Sequence, residues 1–218
     1  YSYFASTETS MVSLLSQEHQ LTHASSVGKL MPGIEVRIVD DEGRDVPPGE
    51  PGEMWVRSSQ PGTFAVCRGY ITSFPDEEPR FVGDWFRTGD IARLDPDGFL
   101  YIVDRKKDMI LSGGMNIASK EVEEVLTQHP AVAEAAVIGV PDAQFGEAVA
   151  AYVVLRAGHQ CTAEELIEHC RATMASFKKP RYVQFVPELP RNSVGKLNKL
   201  ELRERARTDF QLTAGSPR

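Results

Sequence analysis

Two short segments of the chain place carboxylates where they could bind a metal ion or a sugar. In the first, Thr7 precedes Glu8, and the hydroxyl and carboxylate together could hold a phosphate oxygen and a Mg²⁺ ion. In the second, Asp90 follows Gly89, and its two carboxylate oxygens match the vicinal hydroxyls of a ribose. Both also have ordinary structural explanations, because Thr-Glu pairs often cap helices and Asp is common in turns.

Two further segments carry cations and glycines. Arg105 could donate hydrogen bonds to ribose or phosphate oxygens, and Gly113-Gly114 would let a narrow ligand pass close to bare backbone. A solvated linker followed by a hairpin explains these residues without a ligand. Lys196 lies in a Gly-flanked loop, where a mobile ammonium could neutralise charge that develops on a carboxylate-phosphate centre.

Composition limits the function classes open to this chain of 218 residues. Its net charge of −7 argues against nucleic-acid binding, and Arg203, Arg205 and Arg207 are interpreted as a solvated helix surface. No apolar run approaches the ~20 residues needed to cross a bilayer, so we expect no transmembrane segment. Three cysteines without a CxxC pair favour neither a metal site nor a disulfide framework, and we expect a reducing, cytoplasmic setting.

The elements that must position these side chains change in type near residue 104. Up to that point short strands alternate with turns, as in the runs 34–38, 91–94 and 99–103. This half has 8 Lys and Arg against 17 Asp and Glu, whereas the remainder has 16 against 14. We therefore predict that residues 1–104 form a β-rich region and that a second domain follows.

From Arg105 onward the pattern predicts helices interspersed with strands. Three helices are expected, each with a capping side chain before an acidic first turn. The capping residues are Ser119, Thr162 and Asn198. Three strands are also expected, and the middle one should be central because it is apolar on both faces. They cover residues 132–140, 148–155 and 182–186. A compact α+β domain over 105–210 and a frayed tail at 211–218 are predicted.

In order and spacing these segments resemble the adenylate-forming superfamily, which includes acyl-CoA synthetases, carrier-protein adenylation domains and luciferases. The likeness covers nearly the whole chain. The matching residues are Phe4, Thr7, Glu8, the Gly52-Glu53 and Gly69-Tyr70 pairs, Asp90, Arg105, Lys107, Gly113, Gly114 and Lys196. The resemblance implies the barrel-like, β-rich end of a large AMP-binding domain, followed by a small mobile domain.

The resemblance also implies roles in binding ATP or AMP. Thr7 and Glu8 would contact the α-phosphate and take part in catalysis, with Glu8 also a ligand of Mg²⁺. Phe4 stands where a Tyr commonly lies against adenine. Asp90 and Arg105 would bind the ribose.

The small domain would contribute the remaining roles. Lys107 would be the hinge about which this domain turns, and Lys196 the catalytic lysine of the adenylation step. Gly113 and Gly114 would line the passage for coenzyme A.

The activity implied is that of an AMP-forming acid-thiol ligase, which joins a fatty or aryl carboxylic acid to coenzyme A through an acyl-adenylate. The segment 107–114 resembles the CoA-ligase form. A domain that loads a carrier protein and a non-catalytic module of the same fold are the alternatives. The chain would be only the C-terminal portion of the enzyme, and it contains no Ser/Thr/Gly-rich phosphate loop. Without the missing N-terminal region we expect it to be inactive.

Overall fold

The computed structural model describes residues 2–59, 66–67, 69 and 80–210. The chain divides into two compact units, Tyr1–Lys107 and Asp108–Arg218, each with its own sheet. The tail predicted at 211–218 and Tyr70 of the matched Gly-Tyr pair lie outside the described residues.

The first unit consists of strands joined by turns and loops. The strands are β1 Ser2–Ser6, β2 Ser10–Leu15, β3 Gly28–Leu30, β4 Ile34–Val39, β5 Gly52–Ser58, β6 Phe81–Val82, β7 Trp85–Leu94 and β8 Phe99–Arg105, with a 3₁₀ turn at Gln17–His19. They form one antiparallel sheet in the order β1-β2-β3-β8-β7-β5-β4, and β6 pairs with β7. Its core includes Val12, Met54 and Leu100. The predicted β-rich character is confirmed.

The turn between β7 and β8 shows how local chemistry builds this sheet. Asp95 Oδ1 accepts hydrogen bonds from the N–H groups of Asp97 (3.0 Å) and Phe99 (2.8 Å), and Gly98 has a left-handed φ of 81°. The predicted turn between the strand runs 91–94 and 99–103 is confirmed. However, β7 begins at Trp85, well before the predicted start at residue 91.

Over residues 108–210, the second unit combines five strands with three helices. Its elements are β9 Ile110–Ser112, β10 Met115–Ile117, α1 Ser119–Gln128, β11 Val132–Asp142, β12 Gly146–Leu155, α2 Ala163–Thr173, β13 Tyr182–Phe185 and α3 Lys199–Asp209. The sheet has the order β10-β9-β12-β11, with β13 parallel to β12. The predicted α+β class is confirmed. None of the helices in the described part of the chain is long and apolar enough to cross a membrane.

Strands β11 and β12 have apolar side chains on both faces, so the second unit has two layers of core. Val137 packs in one cluster with Leu126 of α1 and Leu166 of α2. Its neighbour Ile138 packs in the other cluster with Leu202 of α3, because successive side chains of a strand point to opposite faces. The predicted central strand is therefore confirmed as β12.

The starts of α2 and α3 follow the predicted capping residues. Thr162 Oγ1 accepts the Glu165 N–H (3.2 Å), while the Thr162 N–H donates to Glu165 Oε2 (2.8 Å). Asn198 Oδ1 accepts the Glu201 N–H (3.4 Å) at the start of α3.

Ser119 was expected to cap α1, and this prediction is wrong. The helix starts at Ser119, with Ala118 at the N-cap position and no side-chain cap. The buried Ser119 hydroxyl accepts a hydrogen bond from Lys199 Nζ (2.7 Å), which also pairs with Glu123 (2.7 Å). The serine therefore joins α1 to α3 instead of satisfying the helix end.

Candidate functional site

A bulge in β7 sets the position of Asp90. Between Arg87 and Ile91, β7 has three residues where the paired segment of β5 has one. Gly89 permits this departure from the ladder with a φ of 72°. Asp90 thus lies within a strand and not in a turn, and the bulge directs its side chain.

Thr88 supports the bulge from within. Its Oγ1 donates to the carbonyl oxygen of Met54 (2.8 Å) and accepts the Asp90 N–H (3.0 Å). Thr88 and Asp90 are both buried. These bonds replace the ladder hydrogen bonds that the bulge removes, so the backbone at Asp90 is fixed.

Asp90 and Arg105 face each other across β7 and β8 and form an ion pair. Arg105 Nε lies 2.8 Å from Asp90 Oδ1, and the side chains are 58% and 6% exposed, respectively. Burial raises the pKa of the Asp90 carboxyl above its ordinary value, although Arg105 and Thr88 oppose this rise. The pair offers an acceptor and an accessible donor, which suits the hydroxyls of a sugar.

The turn between β1 and β2 carries Thr7 and Glu8. Ser6 Oγ lies 2.9 Å from Thr9 Oγ1 and accepts the Thr9 N–H (3.1 Å), which holds the turn closed. Thr7 is exposed and Glu8 is half-buried, and neither belongs to a helix. Phe4, on β1, packs partly against the core of this unit.

Glu8 fits a metal ion that arrives with a nucleotide. Mg²⁺ usually takes one or two protein carboxylates and completes its coordination with phosphates and water. Within residues 2–59, 66–67, 69 and 80–210, no group of three or more His, Cys, Asp or Glu could hold an ion. Glu8 could supply one carboxylate to a nucleotide-bound ion.

Lys196 lies in a loop that hydrogen bonds hold closed. Arg191 and Leu197 form a β-bridge, and the Asn192 N–H donates to the Lys196 carbonyl (2.8 Å). Asn192 Oδ1 accepts the Lys196 N–H (2.9 Å), and Gly195 supplies a left-handed φ of 79°. The Lys196 side chain is exposed and has no ion pair with any residue that the structure describes. An ordered loop therefore presents an ammonium that pairs with no carboxylate of the described ranges.

Gly113 and Gly114 form the turn of the β9–β10 hairpin. Their φ values of 57° and 79° are those of a two-residue turn that favours glycine. The Gly113 N–H donates to the carbonyl oxygen of Phe145 (2.8 Å). Gly113, Phe145, Phe177 and Lys179 help to line a cleft of about 740 Å³. Bare backbone, aromatic rings and a cation suit a narrow chain that carries negative charge.

The structure distributes the predicted site residues over both units. The first unit contains Phe4, Thr7, Glu8, Asp90, Arg105 and Lys107, and the second contains Gly113, Gly114 and Lys196. It brings Asp90 and Arg105 into direct contact and places Thr7 and Glu8 in one turn.

The ion-pair network around Glu53 was not predicted from the sequence. Glu53 is 5% exposed and accepts hydrogen bonds from Arg87 Nη2 (3.0 Å) and Lys106 Nζ (3.2 Å). Burial favours the neutral acid, but these two cations outweigh it, and the pKa of Glu53 lies below its ordinary value. The sequence feature that could have pointed to this network is Lys106, a second lysine immediately before the predicted hinge residue Lys107.

Arg203 corrects one prediction made from sequence. It was assigned to a solvated helix surface, but its Nη2 lies 2.8 Å from Oδ1 of Asp108, a residue that is 9% exposed. The prediction is wrong for Arg203 because its partner lies 95 residues earlier, where helical periodicity carries no information.

Two family models match the chain. One, described as AMP-binding enzyme, matches residues 1–71, and the other, described as AMP-binding enzyme C-terminal domain, matches residues 121–196. The chain is also similar to a long-chain-fatty-acid–CoA ligase of Yersinia pestis. The two are 47% identical over 188 residues, which cover 85% of this chain and 32% of that protein.

Solved structures of related enzymes also match the chain. The o-succinylbenzoate CoA synthetase of Bacillus subtilis, in complex with its acyl-adenylate intermediate, matches with a TM-score of 0.83 and 38% identity, over 92% of this chain and 40% of that one. An amide bond synthetase of Marinactinospora thermotolerans matches with a TM-score of 0.82 and 36% identity, over 93% and 41%. The chain spans about a third to two-fifths of the length of these proteins.

Proposed function

Because the chain belongs to the adenylate-forming superfamily of AMP-binding enzymes, we propose that it carries part of the active site of an acyl-CoA ligase. In the first step, a carboxylate oxygen of the acid attacks the α-phosphorus of ATP, which gives the acyl-adenylate and pyrophosphate. In the second step, the sulfur of coenzyme A attacks the acyl carbon, the thiol proton is lost, and AMP leaves.

The Asp90–Arg105 pair is the observation that carries this proposal. The bulge and Thr88 fix the backbone at Asp90, so its carboxylate would be presented to a ribose in a defined orientation. Arg105 is anchored through Nε, which leaves its other N–H groups to donate to ribose oxygens.

Three residues of the first hairpin complete the nucleotide-binding groups of the first unit. Thr7 would donate its hydroxyl to the α-phosphate, and Glu8 would bind the Mg²⁺ that accompanies ATP. Phe4 would offer its ring to adenine, in place of the Tyr that is common in the family.

Lys196 is assigned to the adenylation step. Negative charge accumulates around the α-phosphate as the carboxylate attacks, and an ammonium stabilises that charge. Lys196 suits this role because no carboxylate of the described residues competes for its positive charge.

For the second step, we assign residues 105–210 to a small domain that turns about Lys107, and residues 1–104 to the end of the large domain. The chain divides into two compact units directly after Lys107, which supports this assignment. Gly113 and Gly114 would then line the passage for coenzyme A, whose narrow pantetheine arm fits beside bare backbone.

Coenzyme A is the proposed acceptor because the fatty-acid and succinylbenzoate relatives are named as CoA ligases or synthetases. The same names favour a fatty or aryl acid as the substrate. The similarity to an amide bond synthetase makes an amine a second candidate acceptor. A carrier-protein thiol is a third, and an assay with all three acceptors separates these possibilities.

This sequence has no Ser/Thr/Gly-rich phosphate loop, and the rest of the enzyme would supply that loop and most of the acyl pocket. We place the enzyme in the cytoplasm. The three cysteines are free thiols, which supports a reducing setting.

The substitution Lys196→Ala in the complete enzyme tests this proposal. We expect substrate-dependent pyrophosphate release to fall about 100-fold or more, because a group that stabilises transition-state charge is lost. Thioester formation from supplied acyl-adenylate and coenzyme A should change less than about twofold.

Lys120→Ala is the matched control for this experiment. Lys120 is an exposed lysine of the same unit, on α1, and its loss should leave both steps unchanged. Equal loss of both steps in Lys196→Ala would contradict the role assigned to Lys196.

A further inference from the structure

The two neighbours of Lys107 are each held by ion pairs within one unit. In the first unit, Lys106 Nζ lies 3.0 Å from Asp41 Oδ1 and 3.2 Å from Glu53 Oε2. In the second unit, Asp108 Oδ1 lies 2.8 Å from Arg203 Nη2. Lys107 therefore stands between two anchored residues.

Glu53 is the stronger of the two partners of Lys106. It lies on β5, its side chain is 6% exposed, and Arg87 holds it from a second direction (3.0 Å). Its lowered pKa keeps it ionised at neutral pH. The Asp41 side chain is 83% exposed, so water screens that contact and we expect it to contribute less.

The anchor on the other side is equally well supported. The Asp108 and Arg203 side chains are only 13% and 30% exposed. Arg203 extends from α3, which the buried residues Leu202 and Ala206 fix against the sheet. Ile110, two residues after Asp108, is fully buried in the other core cluster.

We propose that Lys106 and Arg203 are positioning residues that confine the torsional change of the hinge to Lys107. This inference rests on the hinge role proposed above. Peptide planes are rigid, so when residues 106 and 108 are fixed, rotation is concentrated in the φ and ψ angles of the residue between them. Loss of either anchor would spread the rotation over more residues, and the poses of the small domain would become less defined.

Hydrogen exchange in the complete enzyme tests the anchors directly. Lys106→Met should speed amide exchange about tenfold in a peptide that covers residues 104–107, since a hydrogen bond between charged groups is lost. Arg203→Met should have the corresponding effect at residues 108–111. Each change should be local to its own side of Lys107.

Two variants guard against other causes. Lys106→Arg keeps the positive charge and should show normal amide exchange, whereas Lys120→Met should have no effect.

If Lys106→Met fails to fold, Asp41→Asn replaces it, because this exposed carboxylate can be neutralised without unfolding. Asp41→Asn should raise amide exchange at residues 104–107 by a smaller factor. Unchanged exchange, or an increase spread over a whole unit, would overturn the proposal.

Rates of the two half-reactions separate this inference from the proposed function. If the small domain takes up its two orientations less precisely, Lys106→Met and Arg203→Met should slow thioester formation and adenylation by unequal factors. Lys106→Arg should have both rates close to those of the wild type. Faster local amide exchange with unchanged rates of both half-reactions would refute a positioning role for Lys106 and Arg203. Such a result would leave the assignment of Lys196 untouched, because Lys196→Ala tests that role independently.

Discussion

At the scale of single residues, burial and partners distinguish side chains suited to a ligand from those that hold the fold. Asp90 is buried, but its partner Arg105 is largely exposed, so the pair remains accessible to another molecule. Glu53 is equally buried and is bound by two cations, Arg87 and Lys106. Glu53 is therefore a structural carboxylate, whereas Asp90 is suited to binding.

Asp90→Asn should weaken nucleotide binding. The amide keeps the shape of the carboxylate but loses the negative charge, and hydrogen bonds to charged groups contribute about 1.5–3 kcal/mol. We expect the KM for ATP of the complete enzyme to rise about tenfold or more. Asp97→Asn, in the exposed turn after β7, is the matched control, and an equal rise in both variants would refute the assignment.

Glu53→Gln should lower stability in a pH-dependent manner. At neutral pH it breaks a buried ion-pair network, which costs about 3 kcal/mol of unfolding free energy. Because folding lowers the pKa of Glu53, its contribution is complete above the ordinary value of 4.5 and is lost as pH falls through the lower folded value.

Urea unfolding of wild type and Glu53→Gln, followed from pH 7 down to about pH 3, measures this effect. The difference between the two proteins should shrink only below the ordinary pKa of a glutamate. Glu50→Gln, at a nearby exposed glutamate, should show little difference at any pH. If the difference in unfolding free energy between the two proteins does not change with pH, the charge of Glu53 is not the cause of that difference.

At the scale of elements, the sequence predicted what depends on local chemistry and missed what depends on distant partners. The caps at Thr162 and Asn198 involve residues within one helical turn and were predicted correctly. The bulge before Ile91 was not, because it is defined only by the pairing of β7 with β5. The strands β1 and β2 were also missed, since the polar residues 6–10 break the alternation that would reveal them.

The same distinction holds for the candidate site. Asp90 and Arg105 were both predicted as nucleotide ligands through a family resemblance, but their contact follows from the register of β7 and β8. The Asp108–Arg203 pair could not be inferred, because it requires α3 to pack beside the start of the second unit.

Gly114→Ala tests the role of the β9–β10 turn. Gly114 has a φ of 79° and Gly158 has a φ of 77°, and an added Cβ would meet nothing within 4 Å at either position. Both alanine variants should therefore lose about 1 kcal/mol of stability from left-handed strain. Only Gly114→Ala should also slow thioester formation by the complete enzyme, with adenylation preserved. Identical kinetics in the two variants would contradict a role in binding coenzyme A.

At the scale of the whole molecule, the division into two units separates different parts of the proposed chemistry. The first unit holds the Asp90–Arg105 pair that we propose binds ribose, and the second holds Lys196 and the glycine turn. Neither unit contains a Ser/Thr/Gly-rich phosphate loop in its sequence.

The isolated chain of 218 residues is therefore expected to be inactive. It should bind ATP weakly and release no pyrophosphate with any acid, because the groups that grip the β- and γ-phosphates are absent. A coupled pyrophosphate assay and a direct assay for thioester measure this. Formation of thioester by the isolated chain would contradict the expectation.

The segregation of secondary structure gives each unit its own optical signature. Both tryptophans, Trp55 and Trp85, belong to the β-rich first unit, where arginine side chains lie over their rings. The three α-helices of the described residues all belong to the other unit. Indole fluorescence will follow the unfolding of one unit and helical circular dichroism that of the other, so a single titration can show whether the two melt together.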